Sequence, residues 1–153
     1  MKTSIRDGTI VITPLNWLHT NDVQRLFAKS DAAVHTNFTP SDLSDIDPKD
    51  PPYYIGIFVG STLIGVATLG YDNEADDNDG TTGLLSDVYV TFAARGKGYG
   101  TILVETILEI IAPEQGYQQV NISVLDPALL EWYSRMGFKP TSEWTATYTC
   151  TNI

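Results

Sequence analysis

The chain has 153 residues, with 9 Lys and Arg against 19 Asp and Glu, a formal charge of −10 that argues against nucleic acid and against an anionic membrane surface as partners. Cys150 is the only cysteine and His19 and His35 are the only histidines, so no disulfide, thiolate metal site or histidine cluster is available and no metal is expected. The length suits one domain, residues 1–153, and no apolar run approaches the ~20 residues that span a bilayer.

Residues 9–13 alternate around Ile10 and Ile12 and predict a first strand, ended by Pro14. Asn21-Asp22 is a capping pair for a helix carrying Val23, Leu26 and Phe27 on one face. Residues 30–52 are polar and proline-bearing and read as a loop with at most short helical turns. Two β-rich runs follow, 53–59 and 63–69, joined by Gly60-Ser61-Thr62 as a hairpin. After an acidic loop over 72–80, residues 84–91 predict the next strand and 101–112 a helix stopped by Pro113. A β-branched strand over 119–125, a helix over 126–136 and a weak strand over 144–150 complete the order. That order is mixed α/β with a partly antiparallel sheet. Trp17, Trp132 and Trp144 are expected in the core or lining a cleft.

Charge is unevenly spread. No basic residue stands between Lys49 and Arg95, while Asp50, Asp72, Glu74, Asp76, Asp77, Asp79 and Asp87 do. Such a separation suits an anionic cofactor at one end and a cationic acceptor at the other. Met1 to Asp7 is polar and reads without a targeting signal, so a reducing cytoplasmic compartment is expected.

The first basic residues after that gap belong to Arg95-Gly96-Lys97-Gly98-Tyr99-Gly100-Thr101, set between a strand and a helix. A glycine-dense turn that opens a helix points several backbone N–H groups one way, at the positive end of the helix dipole, and so favours phosphate. Two commoner glycine loops do not fit. Lys97 is followed by Gly98 rather than Ser or Thr, and Thr101 stands where the dinucleotide fingerprint wants its third glycine. What remains is R-x-x-G-x-G, fixed by Arg95, Gly98 and Gly100. Downstream, Asp126-Pro127 opens a helix that carries Trp132, Tyr133 and Met136 and closes at Gly137 before Phe138.

The two motifs in this order, the glycine loop and then Tyr133-x-x-x-Gly137-Phe138, resemble those of the GNAT family of N-acetyltransferases, strongly over 84–140 and weakly elsewhere. The resemblance implies an acyl-CoA N-acyltransferase fold, a central, mostly antiparallel sheet splayed at the cofactor site and flanked by helices. It implies acetyl-CoA as co-substrate and direct attack by a primary amine, either a small cationic amine or a lysine or N-terminus on a peptide or protein. It assigns the pyrophosphate to the backbone of Arg95, Gly96, Lys97, Gly98, Tyr99, Gly100 and Thr101. Val88, Tyr89 and Val90 would pair with the pantetheine arm like an added strand, the N–H of Val90 meeting the acetyl carbonyl where the family's strand is commonly bulged. Tyr133 would protonate the departing thiolate. Asp126 stands where the family often has asparagine near the arm, and it can equally cap its own helix.

The base is less well marked. The family's glutamate position falls on Leu84, which takes no proton. Asp87 is the carboxylate within that strand, although period-two alternation turns it away from Leu84, Ser86, Val88 and Val90 unless a bulge rotates it. A water chain to bulk or to the acidic loop is the alternative. The stretch from Lys139 to Ile153 leaves room for only a short final hairpin. Two rival readings stand beside the enzyme: a CoA-binding sensor without turnover, and a subunit whose acceptor site is completed by a partner or a second copy, which makes a homodimer a candidate assembly.

Overall fold

A computed structural model describes residues 2–5, 8–28, 51–74 and 80–150. The loop expected over 30–52 lies outside the described residues except for Pro51 and Pro52, and so do residues 75–79 of the acidic loop. The chain divides into two compact units, Met1–Thr68 with Asp87–Val104, and Leu69–Ser86 with Glu105–Ile153.

In the first unit, β1 (Lys2–Ile5) pairs antiparallel with β2 (Gly8–Pro14), and β2 with β3 (Tyr53–Val59). β3 is followed by the first part of β4 (Thr62–Tyr71) and the last part of β5 (Thr82–Val90), in the order β1-β2-β3-β4-β5. Ile10 and Ile12, the alternating pair, are buried and pair with Val59 and Ile57. β1 is an addition to the expected elements, because Lys-Thr-Ser-Ile carries no alternation to read.

The first helix starts earlier than Asn21-Asp22. Asn16 caps a single tight turn over Trp17–His19: its Oδ1 accepts the Leu18 N–H at 2.8 Å, and its own N–H donates to His19 Nδ1 at 3.0 Å. The chain then continues into α1 (Thr20–Ala28), whose Val23 and Leu26 are buried. They pack with Leu15, Phe58, Leu63, Val66 and Tyr89 in one apolar cluster. Each aliphatic side chain fully buried there contributes about 1.5–3 kcal/mol. A Cβ on Gly65 would stand 2.7 Å from the Tyr89 carbonyl oxygen, so glycine lets β4 lie close against β5.

In the second unit the order is β4-β5-β6-β8-β7. β5 and β6 (Gln119–Ser123) are parallel through Thr82↔Gln119, Gly83↔Val120 and Leu84↔Asn121, where the ladder stops although β5 runs on to Val90. β6 pairs antiparallel with β8 (Thr145–Thr149), which carries the two-residue β7 (Lys139–Pro140) as a short hairpin. β7 had no readable signal at that length. The fold is thus mixed α/β with a mostly antiparallel sheet, as the motifs implied.

Three expectations need correction. Pro113 does not stop the second helix. α2 (Tyr99–Thr106) passes into a wide π-turn over Ile107–Ile111, where the Ala112 N–H reaches the Ile107 carbonyl, and ends with Ala112–Glu114. Widening the turn ahead of the proline accommodates a ring that would otherwise clash with the carbonyl four residues back. The last helix, α3 (Leu129–Ser134), is shorter than 126–136, because Asp126 and Pro127 form a separate turn ahead of it. Of the core or cleft lining expected for the tryptophans, the core half fails for Trp17 and Trp144, which are 65% and 46% exposed.

Candidate functional site

The end of β5 and the glycine loop lie together in the first unit. β5 is not a regular strand. The Asp72 N–H donates to the Thr82 carbonyl, and the Thr91 N–H to the Ile64 carbonyl. From Thr82 to Thr91 is nine steps along β5, whereas from Ile64 to Asp72 is eight along β4, so β5 carries one extra residue. Asp87 takes the strain with φ 57°, a left-handed conformation that aspartate tolerates better than branched residues do. Period-two alternation therefore breaks at the carboxylate considered as a base. Asp87 itself is half-buried, as are Val88 and Val90, while Tyr89 is buried in the apolar cluster.

With Thr91 donating toward β4 at 2.8 Å, strand geometry turns the N–H and C=O of Val90 off the other edge of β5. The Val90 carbonyl is held there by Arg95, whose Nε–H donates to it at 2.8 Å. The Arg95 guanidinium also lies 5.4 Å from the ring centre of Tyr89 and 5.5 Å from that of Phe92. Arg95 thereby ties the loop to the strand end that precedes it, a role its sequence position did not disclose.

Between Phe92 and α2 the chain makes a tight turn over Phe92–Ala94, then reverses through Gly96 at φ 79° and Gly98 at φ 86°. A side chain at either glycine would force an unfavourable backbone, and nothing stands within 4 Å of the added Cβ, so both positions present bare backbone to the outside. The first hydrogen bond inside α2 runs from the Ile102 N–H to the Gly98 carbonyl at 3.1 Å. The amides of Tyr99, Gly100 and Thr101 come before it and have no acceptor within the helix. They converge at the positive end of the helix, with the exposed Lys97 ammonium beside them. The donors, the dipole and the cation together fit a pyrophosphate.

A cleft of about 670 Å³ opens beside this loop in the same unit. Lys97, Tyr99 and Thr91 line it with Ser61 and Thr62 from the β3–β4 turn and with Arg25 from α1. Arg25 is paired to Asp22 at 2.7 Å. No local pattern announces that α1 borders the loop, because only the tertiary fold brings the two together.

Tyr133 and Asp126 belong to the second unit. Tyr133 is 8% exposed and packs edge-on against Trp132, with centroids 4.8 Å apart, and against Phe138 at 5.4 Å. Burial pushes its phenol up to about 12, so the hydroxyl is protonated at any physiological pH. Gly137, at φ 106°, closes the helix and sends Phe138 back against Tyr133. Asp126 is exposed, and its Oδ1 accepts the Ala128 N–H at 3.0 Å, capping the turn before α3. Burial raises the Cys150 thiol, which disfavours the thiolate a nucleophile needs. Among the described residues no group of three or more His, Cys, Asp or Glu could hold a metal ion, and no helix is long and apolar enough to cross a membrane.

No curated protein sequence matches the chain. Among solved structures, the GNAT domain of S. lividans PAT is similar at a TM-score of 0.74 and 14% identity, over 96% of this chain and 93% of that one. A Brucella melitensis GNAT family acetyltransferase in complex with acetyl-CoA gives 0.64 and 15%, over 92% and 87%. N-acetylglutamate synthase from Neisseria gonorrhoeae, complexed with coenzyme A and N-acetyl-glutamate, gives 0.70 and 15%, covering 94% of this chain but 35% of its own. These likenesses share a fold at low identity. The model of the acetyltransferase (GNAT) family matches residues 17–138, well over half of the sequence, and the chain therefore belongs to the GNAT acetyltransferase family.

Proposed function

We propose that the protein is an N-acetyltransferase that moves the acetyl group of acetyl-CoA to a primary amine by direct attack. One observation carries the reading: the glycine loop, with Gly96 and Gly98 in left-handed backbone, opens α2 directly after a bulged β5 whose Val90 amide is turned off the β4 side. The loop amides from Arg95 to Thr101 and the Lys97 ammonium would hold the pyrophosphate. The edge formed by Val88, Tyr89 and Val90 would pair with the amide-bearing arm. A Val90 N–H fixed before reaction stabilises charge growing on the acetyl oxygen by about 3 kcal/mol.

Tyr133 keeps the role of donor to the departing sulfur. A phenol raised to about 12 is a reluctant source of a whole proton, so we assign it hydrogen bonding to the developing thiolate. Asp126 caps its turn and stands near the arm in this reading. Asp87, at the bulge of β5, is the candidate base.

A second reading, a sensor that binds acyl-CoA without turnover, draws on Leu84, half-buried where the family often has a glutamate. The two readings part on one experiment, CoA thiol release from acetyl-CoA across amines, amino acids and lysine peptides. Release with any class of amine supports the enzyme. Saturable acetyl-CoA binding with no release across the panel supports the sensor.

A further inference from the structure

A second cleft, of about 490 Å³, lies wholly within the second unit and holds a carboxylate that the catalytic reading does not use. That carboxylate is Asp72, just past the end of β4 and only 9% exposed. Its Oδ1 accepts the Glu74 N–H at 3.0 Å and its Oδ2 accepts the Asn121 Nδ2–H at 2.9 Å. The Asn121 amide cannot turn over at low cost, because that would set its Oδ1, which now accepts the Thr147 hydroxyl at 2.6 Å, against the Asp72 carboxylate. A chain of neutral donors, from Thr147 through Asn121, thus holds Asp72 in one orientation.

Neutral donors satisfy geometry but leave the charge uncompensated. A carboxylate removed from water is costly unless a cation faces it, and among the described residues no Lys, Arg or His is paired with Asp72. None of the described residues that line the cleft is basic either. Its polar wall is built from hydroxyls and two amides, with Ser123, Thr141, Thr145 and Thr147 beside Asn73 and Asn121, and with Glu74 adding a second carboxylate. A volume in the range of small-ligand sites, this wall and an unmatched buried charge together describe a receptor for a small cation with further hydrogen-bonding groups. Leu84 lines the same cleft. The residue at the family's glutamate position therefore shares this cleft with a carboxylate supplied from just past the end of β4.

We propose that this cleft binds the acceptor's ammonium group, with Asp72 as its counter-charge and the main determinant of substrate class: a small diamine, whose second amine is left to attack, rather than a neutral or acidic amine. The proposal rests on the acetyltransferase reading only for what happens after binding, so the two fail separately. The test is calorimetric titration of putrescine and of butanediol, its uncharged diol analogue, into the full chain without acetyl-CoA, repeated with Asp72→Asn. Putrescine is expected to bind and butanediol not to. Asp72→Asn is expected to weaken putrescine roughly thirtyfold or more while acetyl-CoA affinity is unchanged, as loss of one partner from a buried charge pair does. Equal binding of the diol and the diamine by the native protein, which needs no variant to fold, overturns the proposal. So does putrescine affinity unaltered by Asp72→Asn, or no putrescine binding by protein that still binds acetyl-CoA. Thiol release from acetyl-CoA with some other amine would in that last case leave the acetyltransferase reading standing.

Discussion

Arg95 donates its Nε–H to the carbonyl of Val90, fastening the start of the glycine loop to the end of the strand before it. The bond closes a short ring of chain around the turn at Phe92–Ala94, and the guanidinium also lies over the rings of Tyr89 and Phe92. A loop held this way offers its amides already oriented, which lowers the entropic cost of gripping an anion. Replacing Arg95 by Ala should weaken acetyl-CoA binding by about tenfold, equivalent to about 1.4 kcal/mol, with little change in thermal stability. Arg95→Lys, which has no fork to bridge the strand and rest on both rings, should recover less than half of that loss. Calorimetry with acetyl-CoA beside thermal denaturation checks both.

Gly98 has φ 86° and open space where a side chain would project. Gly98→Ala should cost about 1 kcal/mol of stability from backbone strain alone. Gly98→Asp should abolish acetyl-CoA binding, because it adds bulk and negative charge where a pyrophosphate would lie. A variant that binds normally would remove the loop from the cofactor site.

Much of this was legible because the signals are local. Alternation at Ile10 and Ile12, the Gly60 hairpin and the glycine spacing after β5 depend on a few neighbouring residues and the backbone they force. The features that escaped depend on tertiary pairing. Asp72 lay within an acidic run that reads as solvated, and only the register with Thr82 and the reach of Asn121 bury its carboxylate. Pro113 read as a stop because the sequence does not announce that the preceding turn will widen. Asp87 could be placed on β5 from the sequence, but the extra residue there shows only once β4 is paired beside it.

Asp87 separates strain from chemistry. Asp87→Gly and Asp87→Val both lose the carboxylate, so the left-handed backbone should make Asp87→Val about 1–2 kcal/mol less stable than Asp87→Gly. If Asp87 is also the base, Asp87→Gly should cut turnover with acetyl-CoA affinity unchanged. Chemical denaturation and steady-state kinetics on the two variants give both answers, and full turnover in Asp87→Gly would assign deprotonation to another group.

Tyr133 makes stability depend on alkaline pH. Its phenol rises to about 12 in the folded chain against about 10 when unfolded, so the folded state holds a proton that the unfolded state releases in between. The contribution is complete below pH 10 and is lost as pH climbs from about 10 to 12, a fall of about 2–3 kcal/mol from this one group. Tyr133→Phe should flatten that part of the profile. The same substitution should slow turnover by about 10²-fold with acetyl-CoA binding retained, if the hydroxyl stabilises the leaving sulfur. Urea denaturation at several alkaline pH values and thiol-release kinetics test the two effects independently.

Acetyl-CoA held at the Gly96–Gly98 loop should give up its acetyl group to an amine. Release of CoA thiol, followed with a panel of diamines, amino alcohols, amino acids and lysine peptides, measures this transfer directly. Release should saturate with at least one primary amine and vanish in Gly98→Asp. Saturable acetyl-CoA binding without release to any amine, or release that persists undiminished in Gly98→Asp, would contradict this assignment.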